Sequence, residues 1–337
     1  MNENAIIDFD KIVTEIQTNY AGFFDKTNGR EIEYSQLKNL IRDEVAEIYS
    51  KDEVLQKFKK FIEFFSDNHL GIVKSSTEQN PNEGQKSNKL NPLIYFTDGE
   101  IPILKIPSFL SHYKQQLDQL IEDNKSKICD SSIFIIDLRG NSGGVDETFD
   151  NICQFLYTHP VESIGVDFLA SEGNVELLIN YYEKAGIPAE GREQFESTIN
   201  LMKSHPDEFV SIWPDRMITY PEVYPKPEKV GILIDEQCGS STEQFLLFAK
   251  ESQKVKLFGT PTSGCLDYSN VGPRALPSGH YMLCIPISRS RRLPDSPIDG
   301  HGILPDEQLS DELNNPIDFV IKNLKSNQEI STRSNFQ

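Results

Sequence analysis

Twice in this sequence an apolar run stops at a turn of small residues and a helical pattern begins at once. The first instance is IFIIDLRGNSGGVDETF, residues 133–149, and the second is VGILIDEQCGSSTEQFLLFAK, residues 230–250. Continuous apolar runs bounded by turn residues mark strands buried on both faces, as in parallel sheets covered by helices. A strand that leaves through a short turn directly into a helix is half of a crossover unit. Two such units confine the chain to an α/β architecture.

The rest of the pattern agrees. Strands are predicted at 93–96, 101–106, 132–138, 229–235, 255–259 and 280–287, and helices at 108–124, 145–157 and 241–252. Ahead of them Ile12, Val13, Ile16, Tyr20, Phe23 and Phe24 recur at helical spacing. Leu37, Leu40, Ile41, Val45 and Ile48 do so behind Ser35, a candidate N-cap. Val54, Leu55, Phe58, Phe61, Ile62 and Phe65 form a third stripe behind Asp52. These stripes predict an N-terminal helical bundle over 1–74, each apolar face serving as core. Residues 75–91, polar and rich in breakers, read as a linker to a core over 92–325. The strand–helix alternation lapses over 160–225, which holds Trp213 and reads as an insertion; residues 326–337 read as a flexible tail.

Composition removes several function classes. A formal net charge of −19 argues against binding along nucleic-acid phosphates. No apolar run approaches the roughly 18 residues that membrane insertion requires. The start, MNENAIIDFDKIVTEIQ, has no basic segment followed by an apolar one, so the expected location is cytoplasmic; export is the alternative if a leader preceded this chain. Five cysteines without a CxxC pair suggest free thiols rather than a disulfide framework or a zinc site. No metal or other cofactor is implied, and no HExxH spacing occurs. The oligomeric state is left open.

The two turns carry the chemistry. Gly140, Gly143 and Gly144 are not followed by the lysine of a phosphate loop, nor spaced as a dinucleotide turn. Val145, Asp146 and Glu147 follow instead, and the two acids would repel a bound phosphate. A glycine turn also suits an oxyanion site, which needs only one or two backbone N–H groups at close approach. At the second turn Ser240 and Glu243 have capping-box spacing, so Ser240 either caps the helix or serves as a nucleophile at its N-terminus.

DLRGNSGG (137–144), CGSSTEQF (238–245), FGTPTSG (258–264) and DGHGILPD (299–306) follow one another in this order. Together they resemble the tail-specific, or C-terminal processing, peptidases of the S41 class, over roughly residues 62–325. The likeness is closer to the branch of the tricorn core and the retinoid-binding modules. It implies a sheet-and-helix core of the ClpP/crotonase type, an α/β fold here preceded by the helical bundle. It places the nucleophile at Ser240, and the oxyanion N–H groups at Ser241 and at Gly143 or Gly144. The processing peptidases carry a lysine base 25 residues after the serine; here that position is Cys265. The tricorn branch uses a histidine near the start of its domain. The segment FFSDNHLGIV, 64–73, supplies His69 as the implied base, which would otherwise cap the third helix. An imidazole titrates near neutrality, at about 6.5. The orienting carboxylate falls to Asp299, with His301 a rival in the same loop, and the serine that precedes the histidine in tricorn is replaced by Asn68. The interval between His69 and the strand near Ile101 leaves no room for a substrate-tethering PDZ domain. The basic run SRSRR, 288–292, is either a solvated loop or a contact for a substrate carboxylate.

The expected activity is that of a serine-type peptidase acting on peptides or proteins. The alternative is a weak or inactive module of the same fold that binds apolar ligands or peptides. A crotonase-like acyl enzyme would need no serine at 240, and nothing in the sequence signals a coenzyme A site.

Overall fold

A computed structural model describes residues 2–75, 91–97, 100–185, 189–310 and 312–334. The chain opens with α1 (Glu3–Asn19), α2 (Phe23–Thr27), α3 (Glu31–Ala46) and α4 (Lys51–Glu63), then β1 (Gly71–Lys74). Next come β2 (Leu93–Phe96), β3 (Pro102–Lys105), α5 (Lys114–Asp130), β4 (Ile133–Asp137), α6 (Asp150–Leu156), β5 (Val161–Ser163) and β6 (Val166–Leu169). They are followed by α7 (Glu172–Ala185), α8 (Ala189–Ser204), β7 (Phe209–Trp213), β8 (Arg216–Ile218), β9 (Lys229–Ile234) and α9 (Ser241–Lys250). The last elements are β10 (Val255–Gly259), β11 (Tyr268–Ala275), β12 (Tyr281–Ser290), β13 (Glu307–Gln308) and α10 (Pro316–Ser334). Among the described residues no helix is long and apolar enough to cross a membrane.

The expected α/β architecture and N-terminal helices are present. Two compact units are assembled from interleaved segments, not from the successive blocks 1–74 and 92–325. One comprises Met1–Ser87, Ile164–Asp215 and Asp267–Pro297; the other comprises Asn88–Ser163, Arg216–Leu266 and Ile298–Gln337. The expected linker at 75–91 lies, apart from its ends, outside the described residues. So do the last three residues of the expected tail, whose earlier part continues α10 to Ser334; no glycine or proline interrupts the chain after Pro316.

In the second unit the sheet runs β13-β10-β9-β4-β3-β2. All its pairings are parallel except the β2–β3 edge, so β4 is buried from end to end and β9 from Val230 onward. One cluster packs Phe134 and Ile232 against Phe155 of α6 and Phe245 of α9. Another packs Ile135 and Leu233 against Val320 and Leu324 of α10. Register pairs Asp137 with Leu233, so the adjacent central strands β4 and β9 end side by side and release both small-residue turns at the same end of the sheet. Carboxyl ends of parallel strands are where open α/β sheets build their sites.

The first unit is antiparallel. β12 pairs with β1 and then β6 along one side and with β11 along the other. The bundle helices bury Phe9, Ile12, Phe58 and Phe61 with Leu283 and Ile285 of β12. Two details of the bundle differ from expectation. Ser35 lies inside α3, which already begins at Glu31, because Gly29 turns the chain at φ +75° and Arg30 stacks on Phe64 and pairs with Glu33. The first stripe breaks after Asn19, leaving Phe24 on the short α2 with 73% of its surface exposed. The N-cap of α4 is Ser50, whose side chain accepts from Glu53 N–H, with Asp52 and Glu53 facing the positive helix end.

A buried polar network ties α1 to α7 and β11. Arg274 lies 3.1 Å from Glu15 and donates to Asn174 Oδ1 and to the Gly173 carbonyl. Asn19 donates to Glu15 and accepts from Ser171. Burial pulls the Arg274 guanidinium below its usual value against the attraction of Glu15 and Glu176. Arg274→Ala is expected to destabilise the protein by about 3 kcal/mol, the low end for a broken buried pair. The low end applies because Lys11 stays 2.7 Å from Glu15. Urea unfolding measures it, and an unchanged midpoint would show the network to be dispensable.

Candidate active site

The first turn is fixed from three sides. Asp137, buried at the end of β4, grips Arg139 through two contacts of 2.8 Å. Asp235, just after β9, accepts from Gly140 N–H at 3.0 Å. Asn141 is fully buried, and its Oδ1 accepts from Gly143 N–H at 3.0 Å and from Thr242 Oγ1 at 2.9 Å. It thereby joins the glycine turn to the first turn of α9. Cys238, at the second turn, donates its thiol to the Leu138 carbonyl, and burial pushes that thiol's pKa up.

The glycines are required by contact. A Cβ at Gly143, where φ is +101°, would stand 2.6 Å from the Gly239 carbonyl and 2.8 Å from Ser240 Cβ. A Cβ at Gly144 would stand 2.1 Å from the Phe109 backbone, with which Gly144 forms a parallel bridge. Residues 108–110, expected as the start of a helix, are held to this turn, and α5 begins only at Lys114. The two glycines differ in one respect. Gly143 N–H is engaged by Asn141, whereas Gly144 N–H meets no acceptor among the described residues.

Ser240 precedes α9 at φ +57° and ψ −127°. A non-glycine residue held there costs about 1–3 kcal/mol and persists only where its surroundings enforce it. Its N–H donates to the Cys265 carbonyl at 3.0 Å and to Glu243 Oε2 at 3.2 Å. Glu243 has no exposed surface. It also accepts from Thr262 Oγ1 at 2.5 Å, Gly264 N–H at 2.8 Å and Cys265 N–H at 2.8 Å. The capping-box spacing therefore has a second use: its carboxylate binds the 262–265 loop to the start of α9. Ser241, the first residue of α9, donates its hydroxyl to the Gly144 carbonyl at 3.1 Å, and its own N–H meets no acceptor among the described residues. Desolvation, with Glu147 and Asp150 adding, raises the Asp146 carboxyl above its usual range against the Ser241 hydroxyl.

Asp299 lies in the same unit, and its Oδ1 accepts from Leu266 N–H at 2.8 Å. Its loop rests on the 262–265 loop: Gly300 donates to the Gly264 carbonyl, and Ile303 N–H donates to Thr262 Oγ1. His301 is exposed. Thus Ser240, Ser241, Gly143, Gly144 and Asp299 belong to one unit, and His69 belongs to the other.

There His69 does not cap α4. Its Nδ1 lies 2.6 Å from the Tyr268 carbonyl. A carbonyl only accepts, so Nδ1 is the donor in this contact, and Nε2 is the nitrogen that carries the lone pair of the neutral ring. Asp67 secures the turn, accepting from His69 N–H at 2.8 Å and from the Tyr20 hydroxyl at 2.6 Å. The SRSRR arginines are engaged by acids. Arg291 lies 3.2 Å from Asp215, Arg292 3.7 Å from Asp267, and Arg289 lies over the Phe209 ring and 3.8 Å from Asp25.

Ser240 and the glycines stand out in the sequence; Asn141, Thr262 and the fourfold use of Glu243 do not. Only the Ser240–Glu243 spacing gave a signal for the last. Among the described residues no group of three His, Cys, Asp or Glu side chains could hold a metal.

Residues 100–309 match the family model described as Peptidase family S41. No curated protein matches the sequence. Among solved structures, a protein of Parabacteroides merdae assigned as a peptidase aligns with a TM-score of 0.63 at 14% identity, over 96% of both chains. Mature CPAF aligns with a TM-score of 0.63 at 13% identity, over 91% of this chain and 92% of that one. The photosystem II D1 C-terminal processing protease aligns with a TM-score of 0.51 at 9% identity, over 95% and 97% of the two chains. Likeness at these identities is likeness of fold.

Proposed function

Because the chain belongs to peptidase family S41, we propose that it is a serine peptidase whose nucleophile is the Ser240 hydroxyl. The observation that carries this reading is the strained Ser240 at a helix start, beside a glycine turn, with Gly144 and Ser241 each keeping an unengaged N–H. Strain of this kind concentrates at active sites, and unengaged N–H groups at a helix N-terminus favour a developing negative charge.

In the proposed reaction Ser240 Oγ attacks the carbonyl carbon of a peptide bond, and its proton passes to His69 Nε2. The carbonyl oxygen becomes an oxyanion, held by Gly144 N–H and Ser241 N–H; of the two candidate glycines, Gly144 is the one with a donor to spare. Collapse of the intermediate breaks the C–N bond, and His69 returns the proton to the leaving amine. Water, deprotonated by the same imidazole, then releases the acid from the acyl-enzyme. Support for His69 comes from its Nδ1 being committed to the Tyr268 carbonyl, which leaves Nε2 as the nitrogen that can accept a proton. Cys265 stands where the processing peptidases have their lysine, and here its backbone braces the nucleophile. Asp299 takes the orienting carboxylate's part through its grip on Leu266, next to Cys265.

The test is reaction with an alkyl fluorophosphonate, read by intact mass and peptide mapping. One adduct is expected, on the peptide containing Ser240, and none on Ser240→Ala. A folded native chain that stays unlabelled, or an adduct that survives Ser240→Ala, overturns the reading.

A further inference from the structure

The peptide group joining Gly143 to Gly144 is not held in one orientation by any side chain of its own two residues. Both flanking residues lack a Cβ, so rotating this plane by half a turn meets none of the clashes that lock an ordinary peptide. Its orientation nevertheless decides whether the turn offers an oxyanion a donor or an acceptor. In a planar trans peptide the C=O and the following N–H point in opposite directions. Whatever holds the Gly143 carbonyl therefore aims Gly144 N–H.

Two donors hold it. Phe109 N–H donates to the Gly143 carbonyl at 2.9 Å, and Ser108 Oγ donates to the same oxygen at 3.1 Å. The Ser108 hydroxyl is itself oriented, because its oxygen accepts from Leu110 N–H at 3.2 Å, which leaves the hydroxyl proton for Gly143. Phe109 is fully buried, between Phe149 and Phe245, so the segment carrying both donors is anchored in the core. On the assignment of Gly144 N–H as an oxyanion donor, we infer that Ser108 is a positioning residue: its hydroxyl locks the Gly143–Gly144 peptide with the N–H presented and the carbonyl turned away.

The inference rests on the peptidase reading, and the test separates the two. Native protein, Ser108→Ala and Ser108→Thr are titrated with an ethoxy fluorophosphonate, and both the maximal labelling rate and the half-saturating concentration are measured. Ser108→Ala is expected to label about tenfold more slowly at saturation, the equivalent of one neutral hydrogen bond. The half-saturating concentration should not change, and Ser108→Thr, which keeps a hydroxyl, should come within about twofold of native. A general loosening of the fold would lower the unfolding midpoint and would not be rescued in this way. Ser108→Ala labelling at the native rate, a change confined to half-saturation, or no rescue by threonine each overturns the role of Ser108 while the peptidase reading stands. A native chain without an adduct overturns both.

Discussion

His69→Ala is expected to slow acylation of Ser240 by roughly 10²–10⁴-fold, the usual contribution of a positioned general base. Fluorophosphonate labelling or turnover of a peptide substrate, measured against native protein at one pH, reads the change. The fold should survive, since the side chain is half-buried and makes one hydrogen bond, to Tyr268, worth about 1 kcal/mol. His69→Asn sharpens the experiment. Its Nδ2 stands where Nδ1 stood and offers Tyr268 a donor, but it has no basic nitrogen, so it should be as slow as alanine if proton transfer is the function. If His69 served only to pin the Tyr268 carbonyl, asparagine would recover much of the rate. A native rate in His69→Ala would remove the imidazole from the mechanism and leave Ser240 without an assigned base.

How far the sequence could reach follows from where each interaction lies along the chain. Strands β4 and β9 were legible because burial on both faces writes a nearly continuous apolar run, and β10 because Val255, Leu257 and Phe258 crowd into a short segment despite Lys256; the boundaries of all three moved by a residue or less at either end. The antiparallel strands β6 and β7 carry half-exposed residues and pair with segments far away in sequence, and β11, although it pairs with the next strand β12 across a short turn, mixes buried and exposed residues without strict alternation, so no local period announces them. The same limit explains residues 108–110. Their composition suits a helix, yet their partner is Gly144, and nothing nearby in sequence says so. At the site, the strand–turn–helix pattern exposed Ser240 and the glycines, because small residues at a turn are a local signal. That Gly143 N–H is engaged while Gly144 N–H meets no acceptor among the described residues was not legible. It depends on Asn141 occupying one N–H, which is a matter of side-chain direction.

Glu243 is where stability and the proposed chemistry meet. Glu243→Ala would leave Ser240 N–H, Thr262 Oγ1, Gly264 N–H and Cys265 N–H without their common acceptor. Each unsatisfied buried donor costs about 1–3 kcal/mol, and the four are not additive because water can enter the space vacated, so a loss of about 3 kcal/mol or more is expected. Urea unfolding measures that part. The second part is local. A buried carboxylate is ordinarily a poor source of stability, since desolvation offsets its gains; here four donors replace its hydration and commit it to one geometry. Glu243→Gln tests the commitment. The amide keeps shape and volume but turns one oxygen acceptor into an NH₂, and whichever way it faces it confronts a backbone N–H, of Gly264 on one side or of Ser240 and Cys265 on the other. Because Ser240 is held at positive φ by these contacts, relaxing them lets its backbone fall back towards ordinary values and carries Oγ away from the N–H groups of Gly144 and Ser241. Glu243→Gln should therefore lose Ser240 labelling by about 10²-fold or more, as a misplacement near 1 Å does, while losing less stability than Glu243→Ala. Native labelling in a folded Glu243→Gln would show that the strained backbone is held from elsewhere and that Glu243 serves the loop alone.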